Sequence, residues 1–475
     1  MNPIVAPMNV LQALWNGARL DAAALQSVQF TGDGCPQGFA SSFAVVPAIQ
    51  ASVAAAALAS TQIEQLREPR RQAQQISVDA RHAAFEASGY FALDGVVPDL
   101  WSPISGLYAC GAGIGQPGWV RIHANFEHHR DGALALLGLP TDAQTSRIEV
   151  QQALQQCSAA DFEARAIAAG LPIVALRSHE QWLEQGQEAE IANRPLIALE
   201  RVSDAPPLPW PQLGDGQRPL AGIKLLDLTR IIAGPVAART LAAYGADVLM
   251  INGPHLPNIE AIAELSRGKR SAQLDLRGEA GRGDLQQLLR EAHVFLQAYR
   301  PDALAAKGFG AEQLAQLRPG IVVAELAAYG WQGPWAGRRG FDSLVQTASG
   351  INVDEGLTRG DGKPRVLPVQ ALDYGAGFLL AFGIQAALLR QATEGGSWRV
   401  RVTLAGVAYW LRSLGRVAVE AGDWDQPRAD MSPYLETLDS GFGQLQAVRH
   451  CAQFSRTPAA WEHVAMPPGS HPALW

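Results

Sequence analysis

Short apolar runs alternate with segments of helical period through the second half of this chain, and that alternation leaves few folds open. IKLLDL at 223–228 reads as a buried strand, 236–244 as a helix closed by Gly245, and DVLMI at 247–251 as a second strand. The pattern continues with a strand at 271–276, a helix around 279–291, a strand at 294–297 and another at 321–326. Strands separated by helices are joined by crossovers and lie parallel. The expectation is therefore an α/β protein with a doubly wound, largely parallel, Rossmann-like sheet.

Ahead of this unit, SDAPPLPWPQLGDGQR at 203–218 is a linker whose prolines and glycines cannot continue a helix or a central strand. Before the linker, 102–126 reads as two strands around a glycine-rich turn, followed by helices at 128–137, 159–169 and 179–185 and a short strand at 173–177. That is a smaller α+β domain. FGIQAALL at 382–389 and RVRVTLAGVAYW at 399–410 have a weaker echo in PAIQASVAAAALAS at 47–60 and QISVDARHAAFE at 75–86. The parsing that results is a degenerate partial copy of the large domain at 1–95, the small domain at 96–202 and the linker at 203–218. The Rossmann-like domain follows at 219–416, and a C-terminal segment at 417–475 packs back on it. With 475 residues, 48% of them hydrophobic, the chain can bury more than one core.

A net charge of −7 and a pI near 5.8 give no overall attraction to nucleic acid or to anionic membranes, so neither is an expected partner. Any anionic ligand must be held by a local basic cluster. The four cysteines, Cys35, Cys110, Cys157 and Cys451, are scattered without metal-ligand spacing, and no metal is expected. The first fifteen residues do not read as a signal peptide, and the apolar stretch at 43–59 falls short of the roughly 20 residues a membrane span needs. A soluble, cytoplasmic protein is the expectation.

Three places carry candidate chemistry. Asp373 stands in PVQALDYGAG, just before a long apolar helix, where an aspartate serves as an N-cap; the same helix N–H groups would keep a carboxylate ionised as a nucleophile, with Gly375 and Gly377 leaving room for a substrate carbonyl. LSRGKRSAQLDL supplies Arg267, Lys269 and Arg270, a cluster that suits a phosphate and equally a solvated turn. Tyr299 with Arg300, and Arg338 with Arg339, follow predicted strands, on the side where doubly wound sheets bind ligands. Gly111, Gly113, Gly115 and Gly118 imitate a dinucleotide loop but precede a strand, so they read as a hairpin turn; His123, His128 and His129 lack the companions of a metal site.

PLAGIKLLDLTRIIAGPVAARTLAAYGADVLMI, then RGKRSAQLDL, QAYRPDALAAKGFG, AAYGWQGPWAGRRGFDSLVQTASG and PVQALDYGAG, in this order, resemble the class III CoA-transferases, a family that includes formyl-CoA transferase, carnitine CoA-transferase and α-methylacyl-CoA racemase. The likeness covers 219–412 and about 440–475, while 166–185 looks like part of the family's small domain, here placed first. The resemblance implies acyl-CoA and a small carboxylic acid as substrates, no tightly bound cofactor, and a homodimer. It implies Asp373 as the residue that takes up the acyl group and then CoA. Lys269 and Arg339 would contact CoA phosphates, and Tyr299 and Phe341 would line its channel. Charge and location add Arg270 and Arg300. After DVLMI the family's usual acidic residue and arginine give way to Asn252, Gly253 and Pro254. Two other readings remain beside CoA transfer. One is an acyl-CoA racemase or isomerase, which Phe341 disfavours because it stands where racemase relatives have a histidine. The other is a catalytically degenerate CoA-binding protein.

Overall fold

The computed structural model describes residues 5–32, 35–142 and 144–475. Its largest sheet has seven strands in the spatial order Lys269–Gln273, Asp247–Asn252, Lys224–Leu228, Val294–Gln297, Val322–Ala327, Ser397–Thr403 and Ala198–Ser203. All neighbours pair in parallel except the last, which runs antiparallel to Ser397–Thr403. The first six make the doubly wound order, which starts in the middle, moves to one edge and then crosses to the other. Their central strands are buried almost throughout, as strands covered by helices on both faces must be. The edge strand Ala198–Ser203 comes from the stretch assigned by sequence to the small domain, and it closes the sheet where the 203–218 linker begins.

The helix Ala371–Glu394 runs through the centre of the molecule. It packs on the helix Ala233–Ala243 from the large sheet and on the helix Val45–Arg67 from the N-terminal part. Trp15 stacks on Phe382 with ring centroids 5.6 Å apart, and the Gln385 side chain donates to the Ala56 carbonyl at 2.9 Å. Both long helices pass the length and apolarity test for a membrane span, contrary to the sequence reading of 43–59. Burial decides their role: 89% and 94% of the apolar windows lie inside the fold.

The N-terminal part holds a parallel pair, Val28–Thr31 with Ile76–Asp79, connected by the helix Val45–Arg67 and followed by the helix Ala80–Ala87. The same succession of strand, long helix, parallel strand and short helix runs from Val322–Ala327 to Leu404–Ser413. In both, the last strand residue caps the following helix: the Asp79 side chain accepts the His82 amide and the Thr403 hydroxyl accepts that of Gly406. The C-terminal strand Ala452–Phe454 adds antiparallel to Ile76–Asp79, and the Leu435–Ser440 and Gly443–Val448 hairpin takes Phe91–Leu93 as its third strand. Further on, Ser271 and His471 exchange two hydrogen bonds, and Trp475 donates to the Leu288 carbonyl.

A buried ionic chain fastens these parts. Glu86 accepts from Arg239 at 2.9 Å, from His450 at 2.9 Å and from the Cys451 amide at 2.7 Å. Arg239 also pairs with Glu264, Glu264 with Arg267, and Arg267 with Glu436. Arg267 is thereby fully committed to the interior. The smaller unit has its own core around Tyr108, Val120, Leu134 and Phe162. Its sheet pairs Gly106–Cys110 with Gly118–Ile122 antiparallel, and Gly111 and Gly115 take φ values of 71° and 70° in the turn between them, so these glycines form a hairpin.

Candidate active site

Strand order reverses between Lys224–Leu228 and Val294–Gln297, and a cleft of about 420 Å³ opens there. Leu228, Ala298 and Ala327, at or just past the carboxyl ends of three strands, form part of its wall. Such a crevice is where an open α/β sheet presents loop backbone and side chains to a ligand. Two residues beside it hold positive φ without being glycine: Ile231 at 78° and Asp302 at 63°. For a β-branched residue this is costly, and such strain collects where a loop is shaped for a task.

Four arginines, Arg230, Arg300, Arg338 and Arg339, face this cleft with His128, His129, Tyr299 and Phe341, and no acidic side chain is among the described residues lining it. Arg230 donates to the Pro257 carbonyl at 2.7 Å, Arg339 Nη1 stands 3.5 Å from His129 Nε2, and Arg338 lies over the Trp335 ring at 3.6 Å. Burial, then His128 and Arg339, push His129 down to about 3, so it is neutral at ordinary pH. His128 is lowered by burial and by Arg339 and Arg230. The cleft is a site of positive potential with apolar walls, suited to phosphate groups carried on an organic frame.

Phe341 forms one side of this cleft and is sandwiched by the small unit: His123 stacks on it at 3.8 Å and 10°, and His129 meets it edge-on at 6.2 Å. The next residue, Asp342, is fully buried. Its Oδ2 accepts the amides of Leu372 and Asp373 at 2.8 and 3.0 Å, and its Oδ1 accepts from the Gln346 side chain. Gln346 is locked in turn, its carbonyl oxygen taking the Leu367 amide at 2.9 Å and the Asn352 side chain at 3.2 Å. Asp373 therefore sits in the first turn of Ala371–Glu394 and is not the N-cap; Asp342, thirty-one residues earlier, caps that helix. Burial pushes Asp342 up to about 6, and burial followed by the neighbouring Asp342 carboxylate raises Asp373 well above the usual carboxylate range. With three donors Asp342 holds the negative charge better, and Asp373 is the partner that carries a proton. Arg121, 7% exposed, is the cation whose field reaches Asp342.

Of the residues singled out by sequence, the structure brings Tyr299, Arg300, Arg339 and Phe341 together and sets Asp373 beside Asp342, one residue past the Phe341 wall. It does not bring Lys269 or Arg270 there. Lys269 is wholly buried, with Nζ 2.8 Å from Asp227 Oδ2 and 3.0 Å from the Pro235 carbonyl, and no surface remains for a phosphate. Asp227 also takes the Thr229 amide at 2.9 Å, so Lys269 shapes the loop under the cleft from behind. Arg270 pairs with Asp247 and the Leu474 carbonyl. The glycines after Asp373 serve packing. A Cβ on Gly377 would stand 2.7 Å from the Ala233 carbonyl and from Val236, and one on Gly375 would stand 3.2 Å from Val407. Sequence reasoning missed Arg230, which follows a strand end as Tyr299 does and could have been found by the same rule. Asp342 and Arg121 gave no local signal, and His123 stood out only as a discounted metal ligand, because their roles depend on contacts between distant segments.

Fold and cleft together are those of a doubly wound α/β protein with a ligand crevice at its switch point. Residues 220–428 match the family model described as CoA-transferase family III. An acyl-CoA transferase of Gibberella moniliformis is 32% identical over 317 residues, which is 62% of this chain and 54% of that protein. A formyl-CoA:oxalate CoA-transferase of Streptomyces coelicolor is 30% identical across 47% of this chain and 55% of its own. A crystal structure of a hypothetical protein from Mycobacterium tuberculosis aligns over 41% of this chain and 57% of that one, at 32% identity and a TM-score of 0.38. The chain thus spans about half the length of the curated relatives it matches.

Proposed function

We propose that this protein moves CoA between an acyl-CoA thioester and a carboxylic acid, with Asp373 as the covalent relay. The observation that carries the reading is the short path from a basic cleft to a paired carboxyl group: Phe341 lines the cleft, Asp342 follows it, and Asp342 holds the Asp373 amide at 3.0 Å. In this reading the arginines Arg230, Arg300 and Arg339 bind the phosphates of CoA. Tyr299 and Phe341 flank its organic part.

The chemistry then runs in balanced steps. An Asp373 carboxylate oxygen attacks the thioester carbonyl, the C–S bond breaks, and CoA leaves as a thiolate from an aspartyl anhydride. The thiolate attacks the aspartyl carbonyl of that anhydride, which releases the first carboxylate and leaves an aspartyl-CoA thioester. An acceptor carboxylate attacks this thioester to give a second anhydride, and the thiolate then takes the new acyl group and frees Asp373. Nucleophilic attack needs ionised Asp373, so the proton it holds beside the Asp342 carboxylate must leave before attack. The names of the Gibberella and Streptomyces relatives support acyl transfer as the class of reaction.

Racemisation is the second reading, and His123 favours it by placing an imidazole against Phe341 at 3.8 Å. Burial, Arg121 and His129 push that imidazole down to about 3, which makes it a weak base. Transfer is preferred on that ground. Incubation with a chiral α-methyl acyl-CoA in deuterated water separates the two: transfer predicts no α-deuterium uptake, and rapid uptake would establish racemisation. A homodimer belongs to the same proposal and is read by sedimentation.

A further inference from the structure

Four lysine or arginine side chains are buried among the described residues, and three of them are ion-paired: Arg239 with Glu86 and Glu264, Arg267 with Glu264 and Glu436, and Lys269 with Asp227. The fourth, Arg121, enters no ion pair and no hydrogen bond among them. Its Nε is closed off without an acceptor, while both terminal nitrogens keep open surface. A cation taken out of water with nothing to bond is costly, and its place in a fold calls for a ligand.

Arg121 stands on the strand Gly118–Ile122, whose Val120 and Ile122 belong to the core of the small unit. Side chains alternate along a strand, so Arg121 points the other way, toward the helix Asp342–Ala348 that packs on this strand. The guanidinium lies 5.2 Å from the centre of the Trp101 ring, Trp101 meets His123 edge-on at 5.8 Å, and His123 stacks on Phe341 of the cleft wall. Asp342, Arg147 and Tyr108 are the titratable groups that act on it. Asp342 is already taken by two helix amides and Gln346, and Arg147 by the Ser105 and Leu107 carbonyls at 3.0 and 2.8 Å. Burial, opposed by Asp342, moves Arg121 down to about 10, so it is charged at neutral pH. Asp342 is thus the common charged neighbour of an unpartnered guanidinium and of Asp373.

We propose that Arg121 binds a carboxylate of the free acid substrate, so that the small unit supplies the acid subsite and the cleft of the large sheet the CoA subsite. The inference rests on the transferase reading. Two open guanidinium nitrogens match the two oxygens of a carboxylate. In the aspartyl-CoA state Asp373 carries no charge, so an incoming acid meets the cation without facing a second free carboxylate.

The test starts from full-length Asp373→Asn saturated with CoA, which is uncharged at position 373 and cannot turn over. In calorimetric titration, butanoate or succinate should bind in preference to its amide. Adding Arg121→Gln should weaken that acid by about tenfold or more and leave CoA and the amide unchanged. Loss for both acids places the reacting carboxylate on Arg121, and loss for succinate alone places the second carboxylate there. With Asp373 intact, Arg121→Gln should lower kcat/KM for the acid more than for the acyl-CoA, and Arg121→Lys should recover part of the loss. Because Arg121 makes no bond that glutamine would break, both variants should melt near the parent. Binding of neither acid, equal binding of acid and amide, or undiminished acid binding in Arg121→Gln would overturn the proposal. A moved pH–rate limb with acid binding intact would also overturn it, since Arg121 would then only balance Asp342. Exchange by the parent alongside such a result leaves the transferase reading standing. Absence of exchange in the parent removes that reading, while the titration still reads the subsite.

Discussion

Asp342 accepts the backbone N–H of Asp373 at 3.0 Å, so the residue that caps the central helix is also the charge nearest the carboxyl that the mechanism uses. Capping and charge control are one contact. Because Asp373 must lose its proton to act, and burial with Asp342 raises its pKa, kcat/KM for an acyl-CoA should rise with pH along a limb above the ordinary carboxylate range. Replacing Asp342 by asparagine removes the like charge, so that limb should move to lower pH by about one unit, while the maximum rate falls because one amide oxygen cannot accept from both the helix N–H groups and the Gln346 side chain. A pH–rate profile from about pH 4 to pH 8 reads both effects. An unmoved limb would show that Asp342 does not set the charge state of Asp373.

Lys269 and Arg339 should respond differently to the same substitution. Lys269→Ala leaves Asp227 buried without its cation, and urea unfolding should show a loss of about 3 kcal/mol, with CoA affinity of the folded fraction little changed. Arg339→Ala, alone or with Arg300→Ala, should leave stability near the parent and weaken CoA by about 1.5 to 3 kcal/mol per phosphate contact, while a pantetheine fragment binds as before. Calorimetric titration with both ligands distinguishes the roles.

The fold was legible in the second half because strand, helix and strand alternate there with turn residues between them; 294–297 was read at the right residues, and other elements were off by one to three. Ile351–Arg359 is a helix, started after Gly350 at φ 85° and tied down by Asn352 bonding to Thr347 and the Arg365 carbonyl. Nothing local announces that. The site was partly legible for the same reason as the fold: Tyr299, Arg300 and Arg339 follow strands. Lys269 looked like a phosphate ligand because its partner Asp227 lies 42 positions away, on a strand two places across the sheet.

Glu86 should be the residue on which the N-terminal and C-terminal parts depend most. His450 and Arg239 hold its carboxyl far below the usual range against the opposing effect of burial. A depressed folded pKa means that this contribution is present above the unfolded value of about 4.5 and is lost as pH falls below it. Glu86→Gln should cost about 3 kcal/mol at neutral pH and lose less stability than the parent on acidification. Urea midpoints at pH 7 and near pH 4 check the sign of the difference.

Removal of residues 1–90 would strip Val45–Arg67 from the face of Ala371–Glu394 and leave Arg239 without Glu86. The shortened chain should be insoluble or show no cooperative unfolding. A soluble, active fragment would make the N-terminal part an independent appendage.

The central claim is that Asp373 carries the acyl group and then CoA, and substitution with asparagine tests it most directly. Asn keeps size and cannot form an anhydride or an aspartyl thioester, while Asp342 continues to cap the helix, so the melting temperature should stay near the parent's. The parent, incubated with an acyl-CoA and treated with hydroxylamine, should be modified at Asp373, and Asp373→Asn should bind CoA with no exchange between acyl-CoA and free acid. Substantial exchange by Asp373→Asn, or the label on Cys35, Cys110, Cys157 or Cys451, would contradict the mechanism.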